Sequence, residues 1–120
     1  MPKTDVVIYA ETDGSVPLLE WLDELPAKVQ DKCMAKVERL GELGHELRRP
    51  EADILRDKIH ELRIGFQGIN YRVLYFFHSQ QAVLSHGCTK EGRVPDREID
   101  EAVRRRRCFE EDPMRHSYRE

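Results

Sequence analysis

Five residues in the middle of the chain carry side chains suited to phosphate chemistry: Arg63, Arg72, His86, Lys90 and Arg93. A guanidinium presents a planar fork of permanently charged donors that matches the paired oxygens of a phosphate. A histidine near neutral pH can take up or give a proton. Tyr71, beside Arg72, could stack on a base or pass a proton, although a tyrosine next to a hairpin more often packs. Plainer readings stand beside these. Arg63 could be an ordinary solvent-facing strand charge, Arg72 a bridge to a sheet-edge carboxylate, and His86 a packed, hydrogen-bonded residue ending a strand. Farther on, Arg104 to Arg107 follow one another without interruption. Successive helical residues turn by about 100°, so at least one of them must face the sheet or a partner. His86 and Cys88 are two apart and could face one side of a strand. No second pair with ligand spacing accompanies them, so no metal site is expected.

These groups sit in a chain of 120 residues, enough for one domain with a single core. The composition, 39% apolar and 36% charged, is that of a folded, highly charged protein rather than a disordered one. The net charge of −3 argues mildly against nucleic acid, but it hides an uneven distribution. Residues 54–94 carry six basic and three acidic side chains, whereas residues 1–53 carry seven basic and twelve acidic. A basic central segment can hold phosphates although the whole is acidic. Cys33, Cys88 and Cys108 leave an odd thiol under any pairing and show no CxxC spacing, which fits a reducing compartment. No apolar run approaches the roughly 20 residues of a membrane helix, and the N-terminus lacks a secretory pattern. Cytoplasm is the expected location.

The elements that must position these side chains are legible from periodicity. VVIYA (6–10) predicts a strand, ended by Asp13-Gly14. Ser15 is a candidate N-cap and Pro17 suits the first turn of a short helix carrying Leu18, Trp21, Leu22 and Leu25. Pro26 ends it, and Val29, Cys33, Val37, Leu40 and Leu43 form the apolar stripe of a second helix closed by Gly44. The two predict an αα-hairpin on one side of a sheet. From Ile54 the period changes to 2. HELRIGF (60–66), a turn at 67–70, NYRVLYFFH (70–78) and AVLSH (82–86) predict three successive strands, the middle one covered on both faces. Pro95 starts a last helix with a narrow stripe of Ile99, Ala102 and Val103. The order β-α-α-β-β-β-α gives an α+β domain over residues 1–109 with a mainly antiparallel sheet of three to four strands. Residues 110–120 read as a flexible tail.

This order, with LRDKIHELRIGF (55–66), NYRVLYFF (70–77), LSHGCTK (84–90), Pro95-Asp96-Arg97-Glu98-Ile99 and the preceding helical hairpin, resembles the RelE/ParE toxin superfamily. The match is closer to its HigB-like, phage Gp49-like branch and covers about residues 5–108. The resemblance implies a toxin of a type II toxin–antitoxin system: a metal-independent endoribonuclease that cuts translated mRNA at the ribosome and needs no cofactor. It implies a cognate antitoxin, often a helix-turn-helix, HigA-like protein, through which alone operator DNA would be bound. On that pattern Arg72 matches the family's characteristic arginine and Arg63 a basic position. His86 and Lys90 fall where active-site groups are placed, with Tyr71, Arg93, Arg105 and Arg106 as candidate RNA contacts. Metal-free cleavage uses the neighbouring 2′-hydroxyl as nucleophile and needs a base, cations around the phosphate and an acid for the leaving oxygen. One departure stands out: Glu91 follows Lys90 where the branch commonly has a second lysine. Two other readings share the fold, a ParE-like inhibitor of DNA gyrase and a catalytically weak protein kept for binding its antitoxin-like partner.

Overall fold

A computed structural model describes residues 4–89 and 92–118. The chain runs β1 (Asp5–Ile8), α1 (Pro17–Asp23), α2 (Ala27–Leu43), a single 3₁₀ turn (Gly44–Glu46), β2 (Ala52–Ile54), β3 (His60–Phe66), β4 (Ile69–His78), β5 (Gln81–Thr89) and α3 (Asp96–Glu111). The expected α+β order is present, but the sheet has five strands in the order β1-β5-β4-β3-β2, and it is mixed. β2 is the added strand. Its three residues, with aspartate in the middle, are too short to show a period, yet they pair antiparallel with β3 at the sheet edge. β1 lies parallel to β5, with Val6 beside Ala82 and Ile8 beside Leu84. The αα-hairpin carries the chain across the sheet from β1 to β2, and three antiparallel steps bring β5 back in the direction of β1.

Alternation along the strands sorts side chains to two covered faces. Leu62, Ile64, Val73, Tyr75, Ala82 and Leu84 meet Leu18, Leu22, Val29, Cys33 and Leu40 of the helical hairpin. Leu74, Phe76 and Val83 point the other way, onto Ile99, Ala102 and Phe109 of α3. Burying apolar side chains on both faces accounts for the run of large residues in β4 that no half-exposed strand would carry. A bulge at Leu74/Tyr75 lets β5 pass Ser85 without a cross-strand partner, so that His86 faces α3.

Local signals are met in most places. Pro17 opens α1, but the N-cap is Val16, because Ser15 turns its hydroxyl to Asp13 instead. Gly44 caps α2 at φ 54°, where a Cβ would also run into the Thr4 side chain. Gln67 and Gly68, both with positive φ, make the two-residue turn from β3 to β4. Residues 110–118, expected as part of a flexible tail, make contacts with α3 and β1. α3 continues to Glu111, Ser117 bridges to Tyr9, and the amide of Tyr118 donates to the Ile8 carbonyl. His116 is buried, its ring parallel to that of Tyr9 at 5.2 Å. Tyr9, on which His116 stacks, is itself fully buried.

Candidate functional site

Register decides which candidates can act together. Arg63 of β3 and Arg72 of β4 are directly opposite each other, and both belong to the α3 side of the sheet. Two like charges in that position repel unless something neutralises them. Glu61, two residues before Arg63 and therefore on the same face, does so. Its buried carboxylate lies 2.9 Å from Arg72 Nε and 3.3 Å from Arg63 Nη2. Asp53 of the edge strand adds a second contact to Arg63 Nη2 at 3.3 Å and is itself held by Arg49. Arg72 thus lies against the carboxylate of Glu61, on the inner strand β3.

The bridge is incomplete. The Arg72 contact is one of charge without a directed hydrogen bond, and Arg72 Nε and Nη1 and Arg63 Nε are buried donors with no acceptor among the described residues. Unmet donors of this kind are costly, and those on a guanidinium are met best by an anion. The cluster can therefore hold a carboxylate it already has, or share its arginines with a phosphate.

His86 sits on the same side, two residues along β5 from Cys88, which is opposite Arg72. It is buried beneath α3 and both ring nitrogens are engaged: Nδ1 with the Ser85 hydroxyl at 2.8 Å and Nε2 with Glu98 Oε1 at 3.0 Å. Burial first, then the Arg105 charge, lowers its pKa against the opposing pull of Glu98. A neutral ring suits these contacts, with Nε2–H donating to Glu98 and Nδ1 accepting from Ser85. This geometry fastens the N-terminal turn of α3 to β5.

The remaining candidates divide. Tyr71 points to the opposite face, buried with its ring edge against Trp21, so it is a core residue and does not join Arg72. Arg93 is exposed before α3. Arg105 is the arginine of the run that turns inward, paired with Glu11 and Glu101 and lying over the Tyr9 ring. Arg106 pairs with Glu110. Neither Arg105 nor Arg106 sits with the Arg63–Arg72 pair: one locks α3 to the strand-β1 end, the other braces its own helix. Lys90 and Glu91 lie outside the described residues. Sequence reasoning missed Glu61 and Asp53; the alternation Asp53, Glu61, Arg63 about a common face could have indicated them once β2 was known. Among the described residues no three His, Cys, Asp or Glu side chains converge on a metal position, and no helix is long and apolar enough to cross a membrane.

Residues 20–107, from α1 through most of α3, match the family described as phage derived protein Gp49-like. The match is consistent with the RelE/ParE-like toxin branch that the motifs resemble. No curated protein matches the chain.

Proposed function

Because the chain belongs to the phage-derived Gp49-like family, we propose that it is the toxin of a toxin–antitoxin pair and cuts translated mRNA. The observation that carries this reading is the Arg63–Arg72 pair, opposed across two strands with buried donors that lack acceptors among the described residues. In this reading the two guanidiniums hold the scissile phosphate. As the 2′-oxygen attacks phosphorus and the 5′-oxygen leaves, they stabilise the growing negative charge on the non-bridging oxygens. Lys90, the next residue in sequence after β5, supplies a further cation. His86 positions α3 and does not touch substrate. Catalysis then rests on charge stabilisation more than on proton transfer, which fits a nuclease that works slowly alone and relies on the ribosome to align the mRNA. A cognate antitoxin, helix-turn-helix in type, restrains it in the cytoplasm and alone contacts operator DNA.

One observation favours a second reading. Both arginines already face carboxylates, and both nitrogens of His86 are occupied. A protein that binds its partner without cutting RNA would carry the same features.

Induced expression in a bacterial host, with primer extension on a translated reporter, separates the readings. Wild type is expected to arrest growth and create new 5′ ends. Arg72→Ala should reduce cleavage about a hundredfold or more, the usual loss when one transition-state donor is removed. Arrest without new ends would move the target to gyrase or another protein, and a folded protein causing no arrest would leave the interaction protein.

A further inference from the structure

A groove of about 490 Å³ lies at the C-terminal end of α2, on the side of the sheet away from α3. It is lined by buried Leu47 and Ala52, by His45 and His60, by exposed Ile54, and by Asp53 with exposed Arg48 and Arg49. The two imidazoles are held as plates. His45 stacks on Phe77 at 3.6 Å between ring centroids, and His60 stacks on Tyr75 at 5.2 Å with Phe77 edge-on. Burial chiefly, and then His45, keep the His60 ring less basic than usual, so it presents a neutral face. The Arg48 guanidinium has no ion-pair partner among the described residues.

The groove is joined to the arginine pair through one atom. Asp53 Oδ2 accepts from Arg49 Nε at 2.8 Å on the groove side and lies 3.3 Å from Arg63 Nη2 on the site side. Only the three-residue strand β2 separates the two. A peptide strand is a poor occupant for this edge, which is short, preceded by Pro50 and flanked by charge. Flat ring faces beside apolar side chains and exposed cations are instead the features that take a base and its phosphate.

We propose that this groove is a subsite for single-stranded RNA, with one base against His45 and His60 and its phosphate on Arg48 and Arg49, continuous around β2 with the Arg63–Arg72 pair. The proposal rests on the RNA-directed reading above and extends it to a nucleotide flanking the one that is cut.

The test is fluorescence anisotropy of a labelled 2′-O-methyl RNA decamer, which cannot be cleaved, at low salt. Arg48→Glu and His45→Ala should each weaken binding about fivefold to a hundredfold, the range for losing one stacked base. His45→Phe should keep it, and a decamer of abasic units should bind no better to wild type than to His45→Ala. Circular dichroism of each variant establishes folding. If folded Arg48→Glu and His45→Ala bind like wild type while Arg72→Ala does not, the subsite is wrong and the nuclease reading survives. If wild type neither arrests growth nor cuts mRNA, yet the groove variants lose the decamer, the nuclease reading fails and the subsite stands. Displacement of the decamer by adenosine monophosphate at equal concentration would assign the groove to a free nucleotide, and stronger competition by polyglutamate would assign it to an acidic peptide. Either overturns the proposal.

Discussion

Glu61 is the residue on which the candidate site turns, because it neutralises two arginines placed opposite each other across a ladder. Removing one member of a buried charged cluster leaves the others uncompensated. Glu61→Gln should therefore destabilise the fold by about 3 kcal/mol, read from urea unfolding. The same change releases Arg63 and Arg72, so RNA affinity should rise while stability falls; a fall in both would argue that the arginines serve only the fold. His86 makes a different prediction. Its folded pKa lies below the usual 6.5, so at higher pH the folded and unfolded chains are both neutral there. As pH falls through 6.5 the unfolded chain takes up the proton first, and stability is lost down to the folded value. The burial-lowered His60 acts with the same sign. The unfolding midpoint should drop between neutral and mildly acidic pH. The double variant His60→Gln, His86→Gln should flatten that drop, and an unchanged slope would exclude both rings as its source.

At the scale of elements, the docking of α1 depends on a glycine. A Cβ at Gly87 would lie 2.1 Å from the Trp21 ring, which packs against β5 and donates from its indole nitrogen to the Thr89 hydroxyl. Gly87→Ala should destabilise by about 1–3 kcal/mol, the range for overpacking, and Trp21→Leu should recover part of that in the double variant. Urea unfolding checks both. The elements themselves were largely readable in the residues. The α2 stripe of Val29, Cys33 and Leu40 is buried as its spacing requires, and β4 is covered on both faces as its composition implies. Pairing was less readable. β2 has too few residues for a period, and nothing local in VVIYA says which strand it joins or in which direction. The site suffered accordingly: Arg63 and Arg72 were identifiable as cations, but their carboxylate partners depend on a register and an edge strand that only the assembled sheet supplies. Tyr71 was misplaced for a simpler reason. Adjacent residues of a strand face opposite ways, so Tyr71 cannot share the face of Arg72.

For the whole molecule, α3 and the segment after it act as one clamp on the sheet. α3 contributes few large apolar side chains and relies on polar contacts, the hydrogen bond between Glu98 and His86 and the ion pairs from Arg105 to Glu11 and from Asp100 to Arg56. Residues 112–118 then close over Tyr9. Deleting residues 113–120 should lower the melting temperature by several degrees, as about 1 kcal/mol does for a domain of this size. Calorimetry would show it, and an unchanged transition would mean that the segment contributes nothing to the fold. The parallel pairing of β1 with β5 carries a consequence for the order of assembly. Val6 is made well before its neighbour Ala82, which follows only after α1, α2 and three further strands. Contacts so distant along the chain form late, because closing the long loop costs entropy before the pairing repays it. A growing chain on the ribosome therefore has no partner for its first strand until β5 has emerged, and no cover for the second core until α3 follows. If its target is translation, the protein acquires the power to attack that process only once β5 and α3 have both been made.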